Sequence, residues 1–449
     1  MRSLGAVLLY AGALLPHSVV AQGDDETTGP TVPIATFTNT EDLDFYTGTR
    51  TEEIVQETGP PTGPYSKYSS KITLSRPAED TTSVTEDLSF TESLPSTQTT
   101  ASNATTETTD KPEPTNTQPC NNHVELCTRK YSNITHVGCH NSPFVRPGNA
   151  GSNQELPVKT QLNDGVRFLQ AQIQWPSGDG EDDSSSVPHF CHTSCDLLDA
   201  GPITDWLGEV TDWVSKHPYD VVTILLGNGN FSNPALYMPF IEESGILKYA
   251  YEAPYLPMAL DDWPTLEHMI LRGKRVVLFM DYKVDQQETS GLHDQFAHMW
   301  ETPFNPTDRD FPCTVQRPPD LDPDAARKRL YLANHNLNVE YNRFGASLLL
   351  PAVALLNETN SATGYGSLGA AAEGCREDWG RAPNFLNVDY YNYGDPPGSV
   401  FEVAARMNNV TYDWNCCGKV NGAPELSSPA ALLRTVLVSG GLAALAQLL

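Results

Sequence analysis

Positive charge is what this 449-residue sequence most lacks: 28 Lys and Arg stand against 56 Asp and Glu, for a net charge of −28 at pH 7. A nucleic-acid backbone needs a basic face to bind, so DNA and RNA are excluded as bulk electrostatic partners. No Gly-rich phosphate loop of either standard type is read from the sequence, which argues against nucleotide binding. Cysteine is missing from the first 119 positions; all nine cysteines lie at or after Cys120. A core is missing from the same region. Residues 22–119 are about a third Thr and Ser, hold seventeen acidic groups against five basic, and show no sustained apolar period. Such a composition cannot bury enough apolar surface to offset chain entropy, and it predicts a disordered, acidic, Thr/Ser-rich stalk open to O-glycosylation.

The two ends read as processing signals. Residues 1–21 combine Arg2, an apolar run and the small-residue ending Val19-Val20-Ala21, the layout of a secretory signal peptide. Residues 421–449 hold small residues, a short polar spacer and about twenty mostly apolar positions interrupted by Arg434, the layout of a GPI-anchor signal, with a C-terminal membrane span as the competing reading. The chain is therefore expected to be secreted and held at the cell surface, on the plasma membrane or cell wall. Cysteines in that compartment favour disulfides. Cys120/Cys127 and Cys191/Cys195 are spaced for local bridges, leaving Cys313, Cys375, Cys416 and Cys417 for longer links and one thiol unpaired. A zinc site using Cys191, His192 and Cys195 is the alternative use of the second pair. Sequons stand at Asn103, Asn133, Asn230, Asn357 and Asn409.

Residues 120–420 are left to form the globular domain. Runs rich in Val, Ile, Leu, Phe and Tyr at 134–138, 166–173, 221–226, 275–281, 330–333 and 385–390 predict strands. Between them, Trp206, Val210 and Trp213 recur at helical spacing over 204–217, before Pro218, and a second helix is predicted over 266–271, ahead of Gly273. Strand and helix alternating over about 300 residues predict an α/β fold with one TIM-type (β/α) barrel, whose chemistry sits at the carboxyl ends of the strands. The first strand runs into His140, and the strand-like stretch 187–191 runs into His192. Two imidazoles across one site suit phosphodiester cleavage, one accepting a proton from the attacking hydroxyl and the other donating one to the leaving oxygen.

Several segments together resemble a known family. The stretches ITHVGCHNS (134–142), LNDGVRFL (162–169), His192, VVTILL (221–226) and PNFLNVDYY (383–391) are similar, in that order, to the PLC-like phosphodiesterase superfamily, and more closely to secreted fungal proteins related to the X domain of phosphatidylinositol-specific phospholipase C. The resemblance implies a TIM-type barrel and cleavage of a phosphodiester lipid or glycolipid into diacylglycerol and a cyclic inositol phosphate. It makes His140 the general base, His192 the general acid and Asp389 the carboxylate supporting His140. Asn141 stands where bacterial members carry an aspartate.

The sequence departs from the family where charge is needed. Positions that carry an acid, then an arginine or a second acid, read Gln170 and Gln172 here. Neither a cation for the phosphate nor a carboxylate for calcium or magnesium is supplied. No cofactor is predicted on this basis, and calcium or magnesium dependence stays open. Arg167 and Lys283 are the nearby basic groups able to substitute. Asn228, Asp281 and Tyr282, at strand ends, join Gln170 and Gln172 as candidate substrate-binding residues. Two functions are expected to compete: a surface-anchored phospholipase C-type phosphodiesterase, and a catalytically weak barrel that binds glycans or lipid head groups.

Overall fold

The computed structural model describes residues 63–68, 70–74, 118–176, 186–343, 346–412 and 416–417. The expected signal peptide, most of the stalk, Asn103 and the C-terminal tail lie outside them. Eight parallel strands form the centre: β1 (His136–Cys139), β2 (Phe168–Gln174), β3 (Val222–Gly227), β4 (Val276–Met280), β5 (Leu292–Asp294), β6 (Met299–Glu301), β7 (Leu330–Asn334) and β8 (Phe385–Val388). Their order in the sheet is β6-β7-β8-β1-β2-β3-β4-β5, so the last strand of the chain pairs with the first.

The end strands β5 and β6 are joined by only four residues, Gln295–His298. Four helical residues span about 6 Å, whereas a flat eight-stranded sheet would hold its edges more than about 30 Å apart. The sheet must therefore curl round on itself. No ladder joins β5 to β6 among the described residues, so the architecture is a parallel eight-stranded open barrel rather than the closed TIM-type ring expected. β5 and β6 are three residues each and pair along one edge only, with β4 and β7.

Period-two alternation sorts the side chains. Phe168, Leu225, Val277, Phe279, Leu330, Leu332 and Phe385 pack together in one fully or nearly fully buried cluster, the filling of the barrel. Their strand neighbours Leu169, Ala171, Ile224, Leu226, Leu278 and Leu386 pack in a second cluster with the surrounding helices. Each such side chain contributes roughly 1.5–3 kcal/mol. The helix α1 (Val158–Asp164) follows β1, α2 (Ile203–Lys216) precedes β3, α3 (Leu368–Trp379) precedes β8 and α4 (Ser399–Asn408) follows it. In α2, Trp206, Val210 and Trp213 form the buried face, as their spacing predicts.

Three features differ from the sequence-based expectations. Residues 63–74, inside the predicted stalk, pack on the barrel: Ile72 and Thr73 pair antiparallel with Leu256 and Tyr255, and Tyr65 packs on Phe296 at 4.9 Å. Two tyrosines and an isoleucine are among the side chains that make these contacts. Cys416 bridges its neighbour Cys417 rather than a distant cysteine, while Cys313 joins Cys375, and Cys139 is free and buried. Finally, Gly364-Tyr365-Gly366-Ser367-Leu368-Gly369 does carry the G-x-G-x-x-G spacing. It links the short helix Leu356–Thr359 to α3 with no strand before it, so it lacks the strand-turn-helix setting that presents a dinucleotide phosphate. The sequons at Asn133, Asn230, Asn357 and Asn409 are all exposed.

Candidate active site

His140 and Asp389 meet because β1 and β8 pair in register, Cys139 opposite Val388, and each strand runs one residue further. The His140 amide donates to the Val388 carbonyl at 2.9 Å, which fixes the two side chains next to each other. His140 Nδ1 lies 2.7 Å from Asp389 Oδ1. Asn153 braces the pair, its Nδ2 donating to the same carboxylate oxygen at 2.9 Å, and Asn141 Nδ2 donates to Asn153 Oδ1 at 3.2 Å. Gln154 Nε2 donates to the His140 and Val388 carbonyls at 2.8 and 2.9 Å. With Nδ1–H directed at the carboxylate, Nε2 keeps a lone pair, the form a general base requires. Asn336 Nδ2 reaches that nitrogen at 3.5 Å, consistent with this tautomer.

His192 is placed differently from the expectation. It follows the strand His189–Cys191, which runs antiparallel to the end of β2 (Ile173 opposite Phe190) and stands outside the eight-stranded ring. Its Nδ1 donates to the Gly151 carbonyl at 2.5 Å, and its ring stacks on Phe144 at 5.1 Å with planes 9° apart. Cys191 and Cys195 form a disulfide that closes the loop carrying it, which removes both sulfurs from the zinc alternative. Burial pushes the imidazole below its ordinary pKa; the Gly151 carbonyl raises it, nearby His140 lowers it and Asp389 raises it. Asn141, which the sequence resemblance sets where an aspartate would stand, bonds Asn153, and its backbone is left-handed at φ 49°.

The remaining predicted residues form a polar layer above the apolar filling. Asn387 Nδ2 donates to Gln170 Oε1 at 2.7 Å and approaches Asn334 Oδ1 at 3.3 Å. Asn334 Nδ2 donates to Glu301 Oε2 at 3.2 Å. Gln172 lies flat over Gly227, where an added Cβ would come within 2.7 Å of the glutamine Cδ and push the amide aside. Asn228 spends its side chain inside its own loop, donating to the Ser232 and Tyr282 carbonyls and accepting from the Ser232 amide and Tyr237. Asp281 accepts from the Asn228 amide at 2.7 Å and from Arg317 at 3.1 Å. Arg317, 2% exposed, also donates to Glu301 at 3.1 Å and to Tyr282 Oη at 2.9 Å.

Neither basic group named as a substitute enters this layer. Arg167 pairs with Asp220 at 2.7 Å and stacks on Trp213 in the helix layer. Lys283 is exposed in a hollow lined by Asp285 and Glu288. Arg317, Asn153, Asn334, Asn336 and Asn387 escaped the sequence reading, although Asn334 and Asn336 flank His335. That histidine is buried against Phe311 at 3.7 Å with Nε2 bonded to the Thr359 carbonyl, and burial pushes its pKa down to about 4. Among the described residues no three His, Cys, Asp or Glu groups converge to hold a metal. Where metal-binding relatives would need carboxylates the chain offers amides, and the Gln170 oxygen is already taken, so no step is routed through a metal.

Burial raises both Asp281 and Asp294 to about 6. The folded protein thus holds protons between pH 4 and 6 that the unfolded chain has released, and these groups favour folding most at the acid end of that window. Asp294→Asn is expected to remove part of the loss of stability as pH rises from 4.5 to 7, about 2 kcal/mol, measured as the change in the slope of Tm against pH. An unchanged slope would disprove the assignment to Asp294.

A model of the PI-PLC X domain matches residues 126–408. The chain belongs to the PI-PLC X-domain family. A fungal X-domain relative, "PI-PLC X domain-containing protein 1" of Arthroderma benhamiae, is 41% identical over 293 residues, 65% of this chain and 90% of that one. An "Uncharacterized secreted protein" of the same fungus is 45% identical over 441 residues, 96% of this chain and 93% of that one. The phosphatidylinositol-specific phospholipase C of Listeria monocytogenes is similar in structure, with a TM-score of 0.42 at 13% identity, covering 64% of this chain and 96% of that one. The X domain is related to PI-PLC phosphodiesterases, and among the described residues no helix is long and apolar enough to cross a membrane.

Proposed function

We propose that the protein is a secreted phosphodiesterase of the phospholipase C type that cleaves a phosphatidylinositol-like lipid or glycolipid. The observation that carries this reading is the unequal preparation of two histidines. His140 is held through Nδ1 by a carboxylate, which leaves Nε2 to accept a proton; His192 is held through Nδ1 by a carbonyl, and burial makes its protonated form the stronger donor. His140 takes the proton of the sugar hydroxyl vicinal to the phosphate, that oxygen bonds to phosphorus, the P–O bond to diacylglycerol breaks, and His192 protonates the leaving oxygen. The imidazolium formed on His140 is stabilised by Asp389.

The surroundings suit a polyol. Asp389 Oδ2, Asn336 Oδ1, Asn141 Oδ1 and Asn387 Oδ1 are buried without a hydrogen-bond partner, and all are acceptors that hydroxyl groups would satisfy. One observation favours the competing reading of a weak or inactive head-group or glycan binder: the guanidinium of the layer, Arg317, is already shared by two carboxylates, which leaves developing phosphoryl charge poorly matched. Anchoring of the C-terminal tail through GPI, and cell-wall location, are proposed on the sequence pattern alone.

The test is incubation of the full chain with phosphatidylinositol vesicles, with calcium and with chelator, across pH 5 to 8. Release of cyclic inositol phosphate and diacylglycerol is expected without added metal. Retention of vesicle binding with no release in any condition would establish the binding protein instead.

A further inference from the structure

Residues 63–74 cross the open side of the barrel where β5 and β6 meet, opposite β1 and His140. Tyr65 packs edge-on against Tyr282 and Phe296 at 5.5 and 4.9 Å, and its hydroxyl lies 3.4 Å from that of Tyr282. Gly63 sits so close to Tyr282 that an added Cβ would come within 2.7 Å of the ring Cζ. Tyr68 donates to Asp294 at 2.6 Å, Lys71 pairs with Asp262 at 2.5 Å, and the Leu74 amide donates to the Pro254 carbonyl at 3.0 Å. Beneath this crossing are Asp281, Tyr282, Arg317 and Glu301, none more than 8% exposed. These groups are linked by hydrogen bonds through Asn334 and Asn387 to Gln170.

The crossing is also lightly held. Its ladder is two residues long, Ile72 faces solvent at 41% exposure, and none of its described residues is fully buried. Segments with few buried contacts open at the lowest free energies in a fold.

We infer that residues 63–74 form an autoinhibitory strap: docked, Tyr65 covers the Tyr282–Arg317 side of the polar layer, and the strap must lift before a head group reaches it. The functional consequence rests on the phosphodiesterase reading; the cover itself does not. The strap lies N-terminal to the matched X domain, so the domain carries its own restraint in the chain that precedes it. A ligand that binds only the open form sees an affinity lowered by the open fraction, about tenfold for a strap docked nine-tenths of the time.

The test uses the full chain and a Tyr65→Ala/Tyr68→Phe variant, with Lys71→Glu as a second variant that loosens the strap from its exposed anchor without touching the barrel. Nitration of Tyr282 by tetranitromethane, mapped by mass spectrometry, reports the cover; release of inositol phosphate from phosphatidylinositol vesicles reports its consequence. Both are expected to rise, by roughly tenfold in the double variant and less in Lys71→Glu. Equal nitration of Tyr282 in wild type and both variants overturns the strap. Faster nitration with unchanged or lower release, in a chain that cleaves, overturns its inhibitory role. If no chain releases product, the phosphodiesterase reading fails and the inhibitory role with it, while nitration still decides the cover.

Discussion

His140→Ala is expected to lower phosphodiester cleavage by about 10²- to 10⁴-fold with little change in Tm, because it deletes the base and leaves the layers beneath it untouched. The side chain is bonded to Asp389 and approached by Asn336 and Asn153, and Asn153 still donates to the Asp389 carboxylate once the imidazole is gone. The His140 amide and the Gln154 side chain, both donating to backbone carbonyls, hold that corner whatever side chain stands at position 140. His192→Ala is expected to cost a similar factor, and the double variant little more than either single one, since base and acid serve one transition state. The pH dependence separates their roles. The acid must carry a proton, and burial sets the His192 pKa below its ordinary value, so turnover falls as pH rises through that value. In His192→Ala this alkaline decline should vanish while residual turnover persists. A decline of the same form in the variant would assign the titration elsewhere.

Arg317→Met is expected to cause the largest loss of stability of any single substitution in the barrel layer, about 3–5 kcal/mol. The guanidinium is buried between Asp281 and Glu301, and the Glu301 side chain is fully buried and bonded also by Gln295 and Asn334. Removing the cation leaves two carboxylates facing each other without compensation. Asp281, already raised to about 6 by burial, would take up a proton first, so the loss should be smaller at pH 5 than at pH 7.5. For the same reason Arg317→Met/Asp281→Asn should recover part of the stability. Equal Tm values for the single and double variants at pH 7.5 would refute the charge argument and leave packing against Phe296 and Phe304 as the cause.

What was legible in the sequence followed period and adjacency. Six of the eight ring strands carry runs of branched and aromatic residues, and α2 shows its buried face at helical spacing. Strands β5 and β6 are three residues each, among His293, Asp294 and Glu301, and no alternation develops over such a length. His140 and Asp389 were legible because each ends a recognisable strand. Their braces were not: Asn153 lies in the loop between β1 and α1, and Arg317 lies in the loop between β6 and the helix Pro323–Ala326, where only tertiary folding decides what a side chain meets. The strap was hidden by its surroundings. A window averaged over the Thr/Ser-rich segment erases two tyrosines that find partners more than 200 positions away.

The missing ladder between β5 and β6 has a mechanical meaning. A hoop cut at one point bends where its ends meet and stays stiff on the opposite arc. The cut ends carry Asp294, which holds Tyr68 of the strap, and Glu301, which holds Arg317. The opposite arc is β8, β1 and β2, stitched by continuous parallel ladders and bearing His140 and Asp389. On the proposed reading the base is thus mounted on the stiff back of the ring, while the groups that must make way for a ligand sit on its compliant ends.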